Sequence, residues 1–433
     1  MMTRPRKVFT WFLALTLSAL LAACSSAPLT GSLAVTLTGL PGGMAGSVLV
    51  TGPNGYSQTI TTTTTLSVTP GSYSVTVSAV RGNDSIVPPV YDGNAAPTTA
   101  TVTAGSTTPM AVTYALRPGS GMLWIPLWGD SFEAVGYARS QLLTSGSPTP
   151  DVSLAGTTNL GEGIAFDGEG NMWVSDMGGY LYRYDAASLA SSGAPTPAVT
   201  IDATAYGSLA GLAFDASGNL WTADFMGNRV LGYSPAQLAV SGAPAAAVVI
   251  STNSGSLTWP VGIAFDAGGN LWVSNLFANT VVRFSSAQLA VTGSPVPTAT
   301  LSASGGSLAE PYQLAFDADG NLWVSNISTP NTVVRFDAAQ LAGSGSPTPA
   351  ATIAGSSLGV GIAGIAFDAS GALWVAANNG LGATSEIRRF TNPGALTGSA
   401  APTASVIITS IGKADAMNMA FNPAPANLPI NTP

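Results

Sequence analysis

LAFDADGNLWVSN, at residues 314–326, is the stretch that decides the fold, because the chain contains five related copies of it. The other four begin at Ile164, Leu212, Ile263 and Ile365. Each copy has a short apolar run, an Asp-x-x-Gly turn and a second run that carries Trp, which predicts a β-hairpin. Repeats with a period of about 20–50 residues are typical of solenoids, propellers and arrays. The fold therefore follows from counting the repeats.

The tryptophan of this phrase recurs at spacings of 48 to 51 residues, at Trp124, Trp173, Trp221, Trp272, Trp323 and Trp374. Around Trp272 the repeat unit contains four predicted strands, at residues 262–265, 270–275, 280–284 and 297–303. An AQLA segment between the last two predicts one helical turn. Four short antiparallel strands in about 50 residues make one blade of a β-propeller. We expect each Trp to pack between adjacent blades.

The two ends of the repeat array complement each other. The first unit, from Met122, has no AFD strand before its Trp, and the last segment, MNMAFN at 417–422, has no Trp after it. The sequence therefore predicts a six-bladed β-propeller over residues 118–422. Its C-terminal strand joins the first blade as the innermost strand, which leaves no exposed edge at the seam. Residues 423–433 are predicted to be a disordered tail.

Residues 31–117 alternate apolar and polar positions in seven or so short segments bounded by Gly, Pro or Asn, which predicts a β-sandwich. The whole fold class is thus all-β. The segment PGSYSVTVSAV and the later TVTAGSTTPMAVTYAL resemble the carboxypeptidase-regulatory-like and PEGA-like sandwiches of bacterial surface proteins. That resemblance leaves two roles open: a carbohydrate- or wall-binding module, or a spacer that lifts the next domain off a membrane. The spacer is favoured.

The N-terminus predicts a targeting segment. Basic residues precede the apolar run Val8–Leu21, and Leu21-Ala22-Ala23-Cys24 resembles the lipobox of bacterial lipoproteins. Cys24 is the chain's only cysteine, so no internal disulfide accounts for it. The resemblance implies a signal peptide at 1–23, a diacylated (palmitate-bearing) Cys24 and a tether at 24–30. An ordinary secretory peptide with an incidental Cys is the alternative.

We therefore expect a lipid-anchored, extracytoplasmic protein of the bacterial cell envelope. Ser25 resembles the signal for the outer membrane, if the host has one. Without the three basic residues of the signal segment, the 13 basic residues fall to 10 against 21 acidic ones, a balance of −11. Since phosphate contacts dominate nucleic-acid affinity, we expect no nucleic-acid partner.

The phrase GIAFDAGGNLWVSN, with VVRF after it at 281–284, resembles NHL-type repeats and the related streptogramin-lyase-like and gluconolactonase/regucalcin-like propellers. The resemblance spans residues 122–422. It implies the propeller fold but no single activity, because the group includes lactonases, lyases and binding scaffolds. Streptogramin lyases depend on a histidine base with a metal, and this chain has no histidine. The resemblance therefore argues against that activity.

Gluconolactonases hold a divalent metal at the channel mouth, with the Glu of a GEGP-like motif among its ligands. Gly161-Glu162-Gly163 matches that motif, with Ile164 in place of the Pro. The residues four before each strand Phe are Glu162, Ala210, Val261, Tyr312, Ala363 and Met417. A single carboxylate cannot hold Ca²⁺ or Mg²⁺, which take about six or more oxygens. Polar residues in shifted positions leave a metal-dependent hydrolase or lactonase as the alternative, and only that alternative needs a divalent cation.

Two polar series are predicted to be structural. Asp317–Asn321 resembles half a calcium loop, but Asp at the first turn position and Gly at a positive-φ site are turn chemistry. No Glu follows at EF-hand spacing. The residues that end the second strand of four successive repeats are expected to bond the backbone of the following turn: Asp176, Asp224, Asn275 and Asn326.

The residues that enter the innermost strands differ between repeats and are the candidate ligand site at the channel mouth: Glu162, Trp259, Glu310, Tyr312, Gln313, Asp415 and Asn418. Unconstrained loops would vary in the same way. Aromatic faces and carboxylates suit a sugar or a peptide. The sequence thus predicts a non-enzymatic binding or scaffolding module for a protein, peptide or glycan, with no catalytic residue, metal site or cofactor.

Overall fold

The computed structural model describes residues 30–128, 133–156, 161–252, 255–302, 305–355, 358–359, 361–378, 385–409, 411 and 415–424. The predicted signal peptide, Cys24, most of the tether and most of the tail lie outside these residues. No helix within the described ranges has the length and apolarity needed to cross a bilayer. Contacts divide the chain into two compact units, of which one comprises residues up to Val80 with Asp92–Ala115, and the other Arg81–Tyr91 with Leu116 onward.

The N-terminal part consists of two sheets. Their strands are β1 (Gly31–Thr38), β2 (Val48–Thr51), β3 (Ser57–Ile60), β4 (Thr64–Val68), β5 (Gly71–Val77), β6 (Val80–Arg81), β7 (Val90–Ala96), β8 (Thr99–Val102) and β9 (Thr107–Leu116). One sheet has the order β4-β1-β9-β7-β6 and the other β3-β2-β5-β8. Burial alternates along the strands, with Leu33 and Val35 of β1 and Val48 and Val50 of β2 fully buried, as the period-2 pattern predicts.

The segment Arg81–Tyr91, which the sequence places in the first β domain, groups with the second unit. Asp84 Oδ1 accepts hydrogen bonds from the backbone N–H groups of Ile86 and Val87 at 2.8 and 2.9 Å. This turn places both apolar side chains in the hydrophobic cluster that also contains Leu123. Period-2 patterning cannot reveal such a segment, because its two buried residues are adjacent.

The described residues of the second unit form six sheets, one for each repeat. Blade 1 has β10 (Met122–Trp128), β11 (Glu133–Ala138) and β12 (Val152–Ala155). Blade 2 has β13 (Gly161–Phe166), β14 (Met172–Asp176), β15 (Tyr180–Tyr184) and β16 (Val199–Asp202). Blade 3 has β17 (Leu209–Phe214), β18 (Leu220–Asp224), β19 (Arg229–Tyr233), the helix α1 (Pro235–Leu238) and β20 (Val248–Ser251).

The remaining blades follow the same order. Blade 4 has β21 (Pro260–Phe265), β22 (Leu271–Asn275), β23 (Thr280–Phe284) and β24 (Ala299–Ser302). Blade 5 has β25 (Pro311–Phe316), β26 (Leu322–Asn326), β27 (Thr332–Phe336) and β28 (Ala351–Ala354). Blade 6 has β29 (Ile362–Phe367), β30 (Leu373–Ala377), β31 (Glu386–Phe390) and β33 (Val406–Ile408), and β32 (Gly398–Ala400) lies between the last two in sequence. Strand β32 pairs in parallel with β28 of blade 5.

Short 3₁₀ turns occupy the positions of the predicted helical turn in the repeats. They lie at Arg139–Leu142, Ala186–Ala190, Gln288–Ala290, Ala338–Leu341 and Pro393–Ala395, with one more in the N-terminal part at Pro53–Gly55.

The ring closes as the sequence predicts. The C-terminal strands β34 (Asp415–Ala416) and β35 (Ala420–Asn422) both pair antiparallel with β10, and Leu123 lies opposite Phe421. The Trp of each blade packs against the Phe that ends the innermost strand of the next blade, with centroid distances of 5.9–6.4 Å. Trp374 meets Phe421 in this way, so the contact between blades 6 and 1 repeats the other five. The predicted packing role of the Trp is confirmed.

The hairpin between the first and second strands of a blade, here called the turn end, is held by its Asp. Asp317 Oδ1 accepts from the N–H groups of Asp319 and Asn321, at 3.1 and 2.9 Å, and its Oδ2 accepts from the amide of Asn321 and the indole N–H of Trp323. Gly320 takes a φ of 78°. The same Asp-to-indole bond recurs in blades 2 to 6 at 2.9–3.1 Å. The turn prediction is confirmed, and the indole bond adds a link that the sequence did not predict.

Candidate ligand site at the channel mouth

The mouth end of each blade is the opposite end, where the innermost strand begins. Strands β13, β17, β21, β25 and β29 each have a register shift just after their first residue. Such bulges re-aim side chains. The second residues of four innermost strands, Glu162, Ala210, Val261 and Tyr312, line one cavity of about 300 Å³.

In blades 2, 4 and 5, a serine on the second strand links the innermost strand of its own blade to that of the next blade. Ser274 Oγ accepts from the N–H of Gly262 at 2.8 Å and donates to the carbonyl of Tyr312 in the next blade at 2.6 Å. Ser325 does the same between Gln313 and Ala363. A Cβ on Gly262 would lie 2.2 Å from the Tyr312 carbonyl oxygen, so only glycine permits this approach. The backbone under the mouth residues is therefore tightly held.

Glu162 and Tyr312 meet across the channel. They belong to blades 2 and 5, which lie opposite each other in a ring of six, and the Tyr312 hydroxyl donates to Glu162 Oε2 at 2.7 Å. Both side chains are buried. The rest of the cavity wall is Asp415 and apolar side chains: Met177, Leu209, Ala210, Phe225, Val261, Leu276 and Met417. The cavity is therefore apolar with two carboxyl groups and one phenol.

Burial controls the protonation of this pair. Desolvation raises the pKa of Glu162, and the hydrogen bond from Tyr312 only partly opposes that shift. Burial, followed by the charges of Glu162 and Asp415, raises the pKa of Tyr312 well above its usual value. Tyr312 is therefore a permanent donor, and Glu162 is an acceptor that takes up a proton more readily than an exposed Glu.

An aromatic surface adjoins the cavity. Trp259 packs edge-on against Phe225 at 4.6 Å and Phe277 at 5.2 Å between ring centroids. Phe277 is 56% exposed, and Met226, the neighbour of Phe225, is 58% exposed. We call Phe225, Met226, Trp259 and Phe277 the aromatic shelf. Because Phe225 also lines the cavity, the shelf begins at the cavity wall.

Two mouth residues have a backbone conformation that favours glycine. Trp259 and Glu310 each precede an innermost strand at a φ of 52°, and blade 6 has Gly361 there at 63°. Asn228 and Asn279 of the preceding blades accept from the N–H groups of Trp259 and Glu310, both at 2.7 Å. A non-glycine residue in this conformation costs on the order of 1 kcal/mol. Such strain is typical of functional positions.

The structure divides the predicted site residues into groups. Glu162, Tyr312 and Asp415 share the mouth cavity, and Trp259 belongs to the shelf beside it. Glu310 stands at the entry to β25. Gln313 and Asn418 instead line a second cavity of about 160 Å³, whose other walls are apolar residues of the six innermost strands. Gln313 is the third residue of β25, and Asn418 lies between β34 and β35.

The sequence did not single out Phe225, Met226 or Phe277. The sequence did contain a signal for them. The three residues lie in the turns that follow the polar ends of two second strands, and a turn does not need large apolar side chains.

The residues that end the second strands behave in two ways. Asp176 and Asp224 accept from turn N–H groups of Tyr180 and Gly227, both at 2.8 Å, as predicted. Asn275 and Asn326 instead accept from the N–H groups of Thr258 and Ala309, which lie in the loops entering the innermost strands. For these two the prediction is wrong, because an amide can also donate, and each bonds a carbonyl of the same entry loop.

The cavity residues do not fit a Ca²⁺ or Mg²⁺ site. Glu162 and Asp415 are the carboxylates of its described wall, and the positions between them are Ala, Val and Met. Hard divalent cations take about six or more oxygens. Throughout the ranges that the structure describes, no three His, Cys, Asp or Glu side chains come together.

Comparisons with known proteins were made by family, sequence and structure. No family model and no curated protein matches the chain. Among solved structures, virginiamycin B lyase from Staphylococcus aureus is similar with a TM-score of 0.36 and 15% identity, over 55% of this chain and 73% of that chain. Its catalytically inactive variant with quinupristin gives 0.37 and 14%, over 55% and 68%. A nidogen/laminin complex gives 0.43 and 16%, over 67% of this chain and 98% of that chain. These likenesses carry no argument about activity.

Proposed function

We propose that this chain is a lipid-anchored protein of the bacterial cell envelope whose propeller binds a ligand at the channel mouth without chemical turnover. One observation carries the proposal: a 300 Å³ cavity with a buried carboxyl and phenol opens beside an exposed aromatic shelf. Ligand sites are concave, mostly apolar and provided with a few fixed polar groups. The ligand is a protein, peptide or glycan, of which the cavity admits one group while the shelf supports the rest.

The anchor and the first domain complete the proposal. Acylation at Cys24 holds the mature chain at the membrane, in the outer membrane if the host has one, and the N-terminal β-sandwich acts as a spacer. The lipobox resemblance and the single cysteine support this part. Replacement of Cys24 by Ser should move the protein from the membrane fraction to the soluble fraction. Retention of the Cys24→Ser variant in the membrane fraction would contradict the anchor.

A metal-dependent hydrolase or lactonase is the rival function. It predicts lactone turnover with Ca²⁺, Mg²⁺ or Zn²⁺ that is lost in Glu162→Gln. Such turnover would overturn the binding proposal.

Glycan and peptide arrays test the proposal with the full chain. We expect a ligand class that binds the native protein and is lost when the shelf is changed by Phe277→Ser with Met226→Ser. The matched control is Val291→Ser with Val296→Ser. It replaces two apolar side chains of blade 4 that lie beyond its third strand and are 66% and 74% exposed. Equal binding by shelf and control variants would place the ligand elsewhere.

A further inference from the structure

Glu162 differs from the other buried carboxylates in how its charge is satisfied. The described residues include five others: Asp176, Asp224, Asp317, Asp368 and Glu386. Each of these has an Arg partner or several donors. Asp224, for example, accepts from Gly227 N–H and Arg229 Nε at 2.8 and 2.9 Å, and Asp368 accepts from Arg389 Nε at 2.8 Å.

Glu162, in contrast, accepts from one donor among the described residues, the Tyr312 hydroxyl. No Arg or Lys belongs to the described wall of its cavity, and Asp415 adds a second carboxyl there. A buried carboxylate is costly unless it is paired and well hydrogen-bonded. Within the described part of its wall, the cavity therefore has two carboxyl groups and no cation that pairs with them.

The surroundings specify which kind of cation fits. Tyr312 and Phe225 line the same cavity, and aromatic faces attract ammonium groups. An ammonium group has three donors and no acceptor, which suits two carboxyl groups. A hydrated metal ion would find Ala, Val and Met where it needs oxygens. The shelf outside the cavity gives the apolar part of such a ligand a surface.

We propose that the mouth binds a primary ammonium group attached to an apolar body, with Glu162 and Asp415 pairing the ammonium and the aromatic shelf holding the body. The proposal rests on the proposed function and narrows its ligand. A lysine side chain of a peptide with apolar neighbours and a free arylalkylamine share this chemistry.

Proton release provides an independent signature. The cation pairs with ionised Glu162, so binding lowers the pKa of Glu162. Any proton that Glu162 holds in the free protein because of its burial is then released. Affinity should therefore rise as the pH increases through the pKa of Glu162 in the free protein. Asp176, Tyr312 and Asp415 are the titratable groups on the neighbouring strands β14, β25 and β34. A Lys ammonium, with a pKa of about 10.4, stays charged throughout.

Titration calorimetry on the full chain tests this with the peptide Ac-Phe-Lys-Phe-amide and its norleucine isostere, and with 4-phenylbutylamine as the free amine. We expect the Lys peptide to bind about tenfold or more tightly than the norleucine peptide. Tighter binding of the peptide identifies a lysine side chain as the source of the ammonium group, and tighter binding of 4-phenylbutylamine identifies a free arylalkylamine. Heats in two buffers of different ionisation enthalpy should show proton release that increases as the pH falls toward the pKa of Glu162.

Two variants locate the interaction. Glu162→Gln keeps an acceptor for Tyr312 and should abolish the preference for Lys over norleucine, and Asp415→Asn should weaken it if the first variant does not fold. The control is Glu169→Gln, the same change at the exposed turn end of the same blade. Equal affinity for both peptides, or a Lys preference that survives in Glu162→Gln, would overturn the ammonium assignment. A neutral ligand from the arrays whose binding depends on the aromatic shelf would also overturn the ammonium assignment, but it would leave the proposed function intact.

Discussion

The two ends of each blade use the same kinds of residue for different purposes. At the turn end, Asp317 accepts four hydrogen bonds and holds the indole of Trp323, and the arrangement recurs from blade to blade. At the mouth end, Glu162 accepts one hydrogen bond from the described residues, and its equivalents in blades 3, 4 and 5 are Ala210, Val261 and Tyr312. A carboxylate that is fully satisfied from within supports the fold. One that is buried and poorly satisfied points to a ligand.

Backbone strain separates the ends in the same way. The turn end places Gly320 and its equivalents at positive φ, where glycine fits without strain. The mouth end places Trp259 and Glu310 in that region. Strain is thus absent where the chain repeats and present where it varies, which indicates that the mouth is not optimised for stability.

The largest effect should come from removing an Asp at the turn end. Asp317→Ala leaves the indole of Trp323 and two turn N–H groups without their acceptor, so we expect a loss of about 3–4 kcal/mol in the free energy of unfolding. Asp319→Ala, two residues away and exposed, should cost under about 0.5 kcal/mol. Denaturant unfolding measures both. A similar cost for the two variants would contradict the structural role of the repeated Asp.

Opening the seam should cost nearly as much. Phe421→Ala removes the ring that packs on Trp374, and we expect a loss of about 3 kcal/mol, as for Phe214→Ala within the array. Equal losses in thermal or denaturant unfolding support a seam equivalent to the other interfaces. A much smaller loss for Phe421→Ala would show that the C-terminal strand does not close the ring.

At the mouth, a substitution should raise the free energy of unfolding instead of lowering it, and this effect should depend on pH. Because the folded pKa of Glu162 is raised, its contribution to stability is present at low pH and is lost as the pH rises through that pKa. Glu162→Gln should thus match the native protein near pH 4 and be more stable than the native protein at pH 8. Other titrating groups, such as Asp176 and Asp224, are common to both proteins and cancel in the difference. A variant that is less stable at pH 8 would mean that the charge of Glu162 supports the fold.

The smallest effect concerns strain alone. Glu310→Gly should stabilise the protein by about 0.5–1 kcal/mol, because glycine adopts a φ of 52° freely. Glu169→Gly, at an exposed residue outside the positive-φ region, should be neutral or slightly destabilising. Destabilisation by Glu310→Gly would show that its side chain makes a structural contribution.

The repeat phrase was enough to predict the blades, their number and the closure, because each follows from strand patterns that recur in register. Predicted strands around Trp272 differ from the observed ones mainly at two places. Strand β21 starts at Pro260 instead of 262 because of the bulge at its entry, and β24 covers Ala299–Ser302 instead of 297–303. The helical turn at Gln288–Ala290 also matches. Regular elements are local in the sequence and so can be predicted from it.

The site was harder to predict, because its geometry is not local. Glu162 and Tyr312 are 150 residues apart and meet only because blades 2 and 5 face each other. Sequence patterns also gave no sign that Trp259 has a positive φ or that Phe277 extends its surface. The variable entry residues indicated the end of the channel where the mouth cavity lies, but they gave no way to separate that cavity from the lower one lined by Gln313 and Asn418.

One measurement tests most directly whether the mouth serves binding instead of the fold. Glu162→Gln and the native full chain are compared at pH 8, on the same preparations, for the free energy of unfolding and for affinity toward Ac-Phe-Lys-Phe-amide. We predict that the variant is more stable and binds about tenfold or more weakly. A variant that is less stable and binds the peptide as well as the native protein would contradict the account.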